Sequence, residues 1–374
     1  MLNEKLDAVL RSVKSAIELG KHLSETQFNK VALELYELHG THNESYSDYG
    51  IVDDWTKIPL LPISSFKAKE VQLQLDTELP YPGLVFKSSG TTQDVRSRHY
   101  MRDTEMYKSS ILNSFPYLVL NEESLVPWIN FRALSPKLEN SSLYYMMEYL
   151  AESFHGVVDN TDLNTKVGVY DLAFDLLPMI AKDEELTVPV VLFATSLAYY
   201  DFVTTFGKIR EAYPKGVTLP LGSKVIETGG WKGRQVDLTS AQLSLNLCEI
   251  FGLNSITREY SMSELSSQMY TELKRESLEY SVKNNTKETV EYFSMPWLRY
   301  RVIDPLTLED VPAGESGVIA FYDLANVWSC PFILTEDQGR IGSKGGLILE
   351  GRVMGSDEKG CSLSYVESVH TRTF

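Results

Sequence analysis

The sequence has no long apolar run and very little cysteine. No stretch approaches the roughly 20 apolar residues that a membrane-spanning helix needs, and the charged start, MLNEKLDAVLRSVKSAIELG, has no apolar region like that of a signal peptide. Only three cysteines occur and none belongs to a CxxC pair, which argues against a structural zinc site and a secreted disulfide framework. We therefore expect a cytoplasmic protein without a membrane span.

Positive charge is also scarce. The chain has 35 Lys and Arg against 51 Asp and Glu, a net charge of −16. A field of that sign repels phosphate backbones, so nucleic acid is not an expected partner. An anionic small substrate would have to be held by local groups, such as helix N-termini, backbone N–H groups, a few basic side chains and Mg²⁺.

Two familiar catalytic patterns are missing. The six histidines form no HExxH motif, and the close pair His39 and His42 is a poor basis for a metal site. The absence of GxSxG gives no support to a serine hydrolase.

The pattern of apolar residues predicts an α/β protein. Two helices are expected in the first 40 residues, the second beginning after a Ser24 cap. From about residue 167, apolar strands such as 188–195 and 223–230 alternate with amphipathic helices, one of them over 239–251, which indicates a largely parallel sheet. Beyond residue 296 the alternation and the Gly and Pro turns predict a β-rich closing section. The closely spaced prolines of IPLLPISSFK (58–67) favour an extended segment.

We expect one large domain over residues 1–350, in which 1–45 form a helical extension, and a short hinge-like tail over 351–374. A chain of 374 residues has room for a full core and an enclosed active site.

The strongest local signal is FKSSGTTQDVRSRHY, residues 86–100. Small hydroxyl residues around a glycine leave hydroxyl and backbone N–H groups free to converge on phosphate oxygens. The segment is not a Walker A loop, because GxxxxGK[ST] is absent, and a polar Ser/Thr turn is the ordinary alternative.

Four further segments are weak alone but occur in a suggestive order. ETGG (227–230) follows an apolar strand, where α/β folds place ligand-contacting loops. REYSMSEL (258–265) offers a ring, a hydroxyl and a carboxylate suited to a planar base and a divalent cation. TEDQGR (335–340) supplies an aspartate in what we expect to be a Gly-bounded turn, and GR (351–352) supplies an arginine after an apolar strand.

Cysteines 248 and 330 fit the buried, apolar role that cysteine usually has. Cys361 differs, because it lies in the polar, Gly-bounded stretch DEKGCSLS, where an exposed and mobile thiol is an alternative to burial.

Taken together, SSGTT, GG, EYSMSE, TED and GR resemble, in that order, the core motifs of adenylate-forming enzymes, which include acyl-CoA synthetases, adenylation domains and firefly luciferase. IPLLPISSFK, ETGGWKGR, LTEDQGR and GCSLS also look like the acyl-protein synthetases of the fatty-acid reductase complexes of luminous bacteria. The resemblance spans residues 55 to 364. It implies the large-domain fold of adenylate-forming enzymes, with their mobile C-terminal domain missing or vestigial.

The resemblance also implies roles for residues. The β- and γ-phosphates of ATP would be bound by Ser88, Ser89, Gly90, Thr91 and Thr92. Arg96 would stand where relatives carry lysine, although Gln93 departs from the usual glycine. The remaining roles are adenine binding for Gly229, Gly230 and Tyr260, α-phosphate contact for Ser263, Mg²⁺ binding for Glu264, ribose binding for Asp337 with Arg352 nearby, and acyl acceptance for Cys361.

The function implied is ATP-dependent activation of a fatty acid to acyl-adenylate, followed by transfer to Cys361 and on to an acyl reductase or acyl transferase. Two alternatives stay open. One is a ligase that delivers acyl groups to CoA or a carrier protein, with Cys361 incidental; the other is a non-catalytic adenylate-binding or scaffold subunit.

Overall fold

The computed structural model describes residues 2–46, 50–74, 83–88, 95–121, 129–135, 137–160, 188–209, 217–229 and 236–352. Numbered in chain order, the helices in these ranges are Leu2–Leu19 (α1), Glu25–His42 (α2), Ser65–Ala68 (α3), Glu105–Phe115 (α4), Ser142–Ser153 (α5), Ser196–Ile209 (α6), Ser240–Phe251 (α7) and Arg275–Asn284 (α8). The strands are Leu61–Pro62 (β1), Leu84–Lys87 (β2), Arg98–Met101 (β3), Asn130–Ser135 (β4), Val157–Asn160 (β5), Val190–Thr195 (β6), Lys224–Thr228 (β7), Ser255–Tyr260 (β8), Met269–Lys274 (β9), Glu291–Ser294 (β10), Leu298–Ile303 (β11), Gly317–Asp323 (β12), Phe332–Ile341 (β13) and Leu347–Arg352 (β14).

The chain divides into two compact units. The described residues of the first lie within Met1–Ser114, Ser261–Gln268 and Glu291–Phe374, and those of the second within Phe115–Tyr260 and Met269–Val290. The predicted boundary at residue 350 stays a prediction, because the residues after Arg352 lie outside the described ranges.

The first unit begins with the two predicted helices. A capping box starts α2: the Ser24 hydroxyl accepts from the backbone N–H of Gln27, whose side chain accepts from the Ser24 N–H. The apolar face of α2 is buried, with Phe28 and Leu35 fully covered. The prediction of two N-terminal helices is confirmed.

The first unit also contains an antiparallel sheet, in the order β11, β12, β13, β14, β10. The short strand β1 joins β13 in parallel, and β2 and β3 form a separate hairpin. Residues 58–67 are therefore extended only in part, because α3 begins at Ser65. The β-rich closing section is confirmed.

The second unit is a parallel sheet in the order β5, β4, β6, β7, β8, with β9 antiparallel at one edge. Strand β6 is buried along almost its whole length, as expected for a parallel strand covered on both faces. Helices α6 and α7 pack together through the rings of Phe202 and Phe251, stacked with centroids 5.6 Å apart. The predicted parallel α/β sheet is confirmed.

No helix in these ranges combines the length and the apolar character that crossing a membrane requires.

Candidate active site

The predicted site residues fall into three groups. The first unit contains Ser88, Arg96, Ser263, Glu264, Asp337 and Arg352, and the second contains Gly229 and Tyr260. Outside the described residues lie Ser89, Gly90, Thr91, Thr92, Gly230 and Cys361.

The carboxyl of Glu264, in the first unit, is buried and only 5% exposed. Burial raises the pKa of this carboxyl above its ordinary value, while a hydrogen bond from the Ser97 side chain and the charge of Lys67 act in the opposite direction. The negative charge of Asp337 adds to the increase in this pKa. The fold therefore brings Asp337 and Lys67 into electrostatic range of Glu264, although both are far from it in sequence.

Strand pairing explains how Lys67 reaches this place. Strand β1 pairs in parallel with the start of β13, and the N–H of Ile63 donates to the Leu334 carbonyl at 2.9 Å. Helix α3 follows at once, and the ring of Phe66 packs edge-on to His99. Lys67 is exposed beside these anchored residues. Lys67 lies in IPLLPISSFK but was not among the predicted site residues.

The segment that carries Glu264 is held by hydrogen bonds to a buried aspartate. Asp323 is fully buried and accepts the N–H of Ser266 and the hydroxyl of Ser267, each at 2.7 Å. The hydroxyl of Ser267 also accepts from the Trp297 indole at 3.2 Å. Residues 261–268 are thus held by buried hydrogen bonds rather than forming an exposed strand end.

Ser88 and Ser97 close the base of the segment predicted to bind phosphate. The N–H of Ser88 donates to the Ser97 carbonyl at 3.1 Å, and the Ser97 N–H donates to the Ser88 hydroxyl oxygen at 3.0 Å. Ser97 is buried, and its side chain also bonds to Glu264. Ser88 and Ser97, which flank residues 89–96 in sequence, are therefore bonded to each other, and Ser97 is bonded to the buried carboxyl. Ser97 was not among the predicted site residues, although it directly follows Arg96.

Asp337 lies in a strand and not in the expected Gly-bounded turn. It occupies β13 opposite Arg352 of β14, with Nε of Arg352 3.8 Å from Oδ1 of Asp337. The glycine that suggested a turn, Gly339, allows close strand contact instead, because a Cβ there would lie 2.5 Å from the Ile348 carbonyl oxygen. A register shift at Gln338 and Gly339 marks an irregularity in this pairing.

In the second unit, Gly229 and Tyr260 lie at the same edge of the parallel sheet. Strands β7 and β8 are parallel, with Thr228 opposite Glu259, so the next residue of each strand is at the carboxyl end. Gly229 has φ +75°, a conformation that favours glycine, and its carbonyl accepts from the Ser196 hydroxyl at 3.2 Å. The edge is where open α/β sheets bind ligands.

A buried network supports that edge. Arg258 donates to Glu227 at 3.2 Å, to Glu288 at 2.7 Å and to the Ser244 hydroxyl at 2.9 Å. The Thr228 hydroxyl donates to the carboxylate of Glu259. These bonds hold Arg258 and Thr228 in place and orient the residues directly before Gly229 and Tyr260.

The predicted burial of two cysteines is confirmed. Cys248 and Cys330 are both buried free thiols. Burial raises the pKa of Cys248 to about 11 and that of Cys330 to about 12, so neither is a thiolate near neutral pH.

The family model of the LuxE acyl-protein synthetases matches residues 147–370, more than half of the chain. The chain belongs to this family. The matched range includes Glu264, Asp337, Arg352 and Cys361, whereas the Ser88–Ser97 region precedes it. The predicted identity as an acyl-protein synthetase, an enzyme of the ligase class, is confirmed.

Curated relatives agree with this assignment. The long-chain-fatty-acid–luciferin-component ligase of Vibrio harveyi is 23% identical over 372 residues, which cover 88% of this chain and 84% of the relative. The ligase of the same name from Aliivibrio fischeri is 27% identical over 119 residues, covering 31% of this chain and 28% of the relative.

Solved structures agree on the fold. A 2-hydroxyisobutyryl-CoA ligase, solved in an open conformation with 2-HIB-AMP and CoA, has a TM-score of 0.52 at 11% identity, covering 92% of this chain and 68% of that one. The ATP-bound MatB of Rhodopseudomonas palustris has a TM-score of 0.49 at 15% identity, and the match covers 75% of this chain and half of that one. The likeness to the 2-hydroxyisobutyryl-CoA ligase, with a TM-score above 0.5, confirms the predicted fold class.

Proposed function

We propose that this LuxE-family chain activates a long-chain fatty acid with ATP to acyl-adenylate, and that Cys361 then takes up the acyl group for delivery to an acyl reductase. The single observation that carries the proposal is the buried Glu264 carboxyl, joined to the base of the predicted phosphate loop through Ser97 and placed in range of Lys67 and Asp337. A buried carboxylate beside convergent polar groups is a characteristic functional arrangement.

The first unit fits a divalent cation that arrives with a nucleotide. Mg²⁺ usually binds one or two protein carboxylates together with substrate phosphates, rather than a cage of protein ligands. Glu264 is such a carboxylate, and among the described residues no group of three or more His, Cys, Asp and Glu is arranged to hold a metal. When bound, Mg²⁺ would neutralise phosphate charge next to Glu264.

We assign each part of the nucleotide to the residues that the sequence motifs indicate. Ser88, Ser89, Gly90, Thr91 and Thr92 hold the terminal phosphates, and Arg96 adds positive charge. Ser263 meets the α-phosphate and Asp337 accepts from the ribose hydroxyls, with Arg352 beside it. Gly229, Gly230 and Tyr260 receive the adenine, a role supported for Gly229 and Tyr260 by their place at the carboxyl edge of the sheet.

In the first half-reaction a carboxylate oxygen of the fatty acid attacks the α-phosphorus of ATP. The bond from that phosphorus to the bridging oxygen of the β-phosphate breaks, and pyrophosphate leaves with the electron pair. The protein's contribution is positioning and stabilisation of the developing charge. Arg96 and Lys67 are the cations that this proposal assigns to the task.

In the second half-reaction the Cys361 thiolate attacks the acyl carbon. The bond from that carbon to the AMP oxygen breaks, AMP leaves, and a thioester remains. The high pKa values of Cys248 and Cys330 support this choice, because a thiol kept protonated by burial is a poor nucleophile. The family's description as acyl-protein synthetases supports a protein as acceptor.

A long-chain fatty acid as substrate is supported by the names of the curated relatives, which specify one. A thioester is an activated acyl group, so a natural consumer is an enzyme that reduces or transfers it. We therefore propose an acyl reductase as the partner, with an acyl transferase as the second choice.

Fatty-acid-dependent exchange of radioactive pyrophosphate into ATP tests the first half-reaction. Exchange by the purified chain is expected; its absence would leave a scaffold role. Incubation with radioactive fatty acid and ATP tests the second half-reaction. A hydroxylamine-sensitive label on the protein is expected, whereas exchange without a label, followed by acyl transfer to CoA, would indicate delivery to CoA.

A further inference from the structure

Two buried histidine–asparagine pairs in the first unit bond to the connection between β12 and β13, residues 324–331. In one pair, Nε2 of His39 lies 3.0 Å from the Val327 carbonyl oxygen, and Asn43 donates to the Ser329 carbonyl at 3.0 Å. In the other pair, His99 contacts Asn326, which belongs to the connection itself. All four side chains are at most 2% exposed.

The orientation of Asn326 is fixed by its neighbours. Its amide nitrogen lies 2.8 Å from the carbonyl oxygens of Glu264 and of Cys330, so this atom must be the donor. Its oxygen therefore faces Nε2 of His99, at 2.9 Å. Nδ1 of His99 lies 2.7 Å from the carbonyl oxygen of Ser263.

The His99 ring thus lies between oxygen atoms at both nitrogens. Burial lowers the pKa of His99 to about 4, so the neutral ring prevails near pH 7 and donates one hydrogen bond at a time. The edge contacts with Phe66 and Phe86, at centroid distances of 6.4 and 6.5 Å, hold the ring in place.

The two histidine–asparagine pairs differ in the main-chain groups to which they bond. The His39–Asn43 pair bonds to Val327 and Ser329, whereas the His99–Asn326 pair bonds to the main chain of Ser263 and Glu264. Two consecutive carbonyls of the segment that carries the candidate metal ligand therefore face one buried pair of side chains: the Glu264 carbonyl accepts from the Asn326 amide, and the Ser263 carbonyl accepts from His99 in the tautomer protonated at Nδ1. His99 also belongs to β3, which begins directly after the predicted phosphate loop and Ser97.

We propose that His99 and Asn326 are positioning residues, which hold the Ser263–Glu264 main chain in the orientation in which Glu264 binds the Mg²⁺ that accompanies the nucleotide. The inference rests on the proposed function and deepens it. Mg²⁺ requires near-ideal octahedral geometry, so a small rotation of the main chain at Glu264 should weaken binding. A displacement of about 1 Å in a catalytic group is enough to lower a rate by about 10²-fold.

The chain supplies a matched control for the test. Asn326→Asp removes two hydrogen-bond donors from the pair next to Glu264, and Asn43→Asp removes the two that Asn43 gives to His39 and Ser329. Calorimetric titration of ATP into the full-length chain without fatty acid, with and without Mg²⁺, measures binding apart from activity. Relative to wild type, we expect Asn326→Asp to weaken binding of ATP with Mg²⁺ by at least about tenfold, leaving metal-free ATP binding within about twofold. Asn43→Asp should leave both ATP affinities unchanged, although it should lower the melting temperature about as much as Asn326→Asp does.

A second pair of variants keeps the ring packing. His99→Phe removes both polar contacts of His99 yet retains an aromatic ring between Phe66 and Phe86, and His39→Phe is its control. His99→Phe should raise the Mg²⁺ concentration for half-maximal pyrophosphate exchange by at least about tenfold, and His39→Phe should not. Should Asn326→Asp fail to fold, this pair gives the answer.

If Asn326→Asp and Asn43→Asp fold and weaken binding of ATP with Mg²⁺ equally, the positioning role is overturned, because a merely structural role predicts equal effects. The same holds if His99→Phe and His39→Phe fold and raise the required Mg²⁺ concentration equally. Absence of pyrophosphate exchange in the wild-type chain would instead overturn the proposed function. The calorimetric comparison still separates the two outcomes, because it does not depend on turnover.

Discussion

Asp337 and Arg352 face each other across β13 and β14, with Nε of Arg352 3.8 Å from Oδ1 of Asp337. The carboxylate is one-quarter exposed and the guanidinium about two-thirds exposed, so the aspartate is the more enclosed partner. A surface pair at this distance contributes little to stability. The ion pair with Arg352 is therefore a small contribution to the fold, and replacing Asp337 should cost little of it.

We predict that Asp337→Ala raises the KM for ATP by at least about tenfold and leaves the fold intact. An ionised carboxylate that accepts from ribose hydroxyls makes charge-assisted hydrogen bonds worth roughly 1.5–3 kcal/mol. The measurement is pyrophosphate exchange at varied ATP, with circular dichroism as the check on folding. Glu336→Ala is the control, because neighbouring residues of a strand point to opposite faces. Equal KM values for Asp337→Ala and Glu336→Ala would contradict the ribose role.

We predict that Glu264→Gln lowers the rate of adenylation by at least about 10²-fold, equivalent to about 2.7 kcal/mol of barrier. Glutamine keeps the size of the side chain but removes the charge that a hard divalent cation prefers. Pyrophosphate exchange at limiting Mg²⁺ is the measurement, and Glu336→Gln is the control. Wild-type exchange in Glu264→Gln would remove Glu264 from the site.

We predict that Lys67→Met lowers kcat/KM for ATP by about tenfold, because a positive charge near Glu264 is lost where phosphate charge is expected to develop. Lys67→Arg should restore most of the activity. Lys69, an exposed lysine two residues further on, supplies the control variant Lys69→Met. A similar kcat/KM for both methionine variants would show that Lys67 acts only as part of the general surface charge.

The parts of the fold that follow from local patterns were predictable. Ser24 and the apolar spacing of α2 specify a capped helix, and the continuous apolar run of β6 specifies a buried parallel strand. Strand β13 was not predictable in the same way. Its residues 335–340 read as a polar turn, and its pairing on both sides, with a glycine for close contact, is visible only in three dimensions.

The candidate site shows the same division. The sequence indicated Glu264 through its motif, but not the burial that raises its pKa or the Ser97 hydrogen bond. The proximity of Lys67 and Asn326 to Glu264 was not predicted, because strand pairing and connections between residues far apart in sequence produce it. The β1–β13 pairing supplies Lys67, and the connection after β12 supplies Asn326. No periodicity or local spacing encodes such contacts.

We predict that Asp323 makes the protein less stable as the pH rises through about 6. Burial raises the pKa of this carboxyl from 3.8 to about 6. Between these values the folded state holds a proton that the unfolded state has released, so stability falls with rising pH. The shift corresponds to about 3 kcal/mol between pH 3.5 and pH 7. Urea unfolding across that range should show this loss in wild type relative to Asp323→Asn.

The variant Asp304→Asn serves as a comparison, because the contribution of Asp304 to stability changes with pH in the opposite direction. Hydrogen bonds from the main chain of Thr307 and Leu306 lower the pKa of Asp304, so its contribution is present at neutral pH and lost on acidification. A stability difference between wild type and Asp323→Asn that does not change with pH would contradict the assignment for Asp323.

We predict that Cys361→Ser still forms acyl-adenylate and releases pyrophosphate but carries no hydroxylamine-sensitive acyl label. Adenylation precedes thiol attack, so removing the thiol should block only the second step, and a serine hydroxyl is a far weaker nucleophile than a thiolate. Cys248→Ser and Cys330→Ser are the controls, and both should keep the label, because burial holds their thiols protonated. The measurement is retention of radioactive fatty acid on the denatured chain before and after hydroxylamine. A label that survives in Cys361→Ser and disappears in either control variant would move the acceptor to a buried cysteine, which would require the fold to open during turnover.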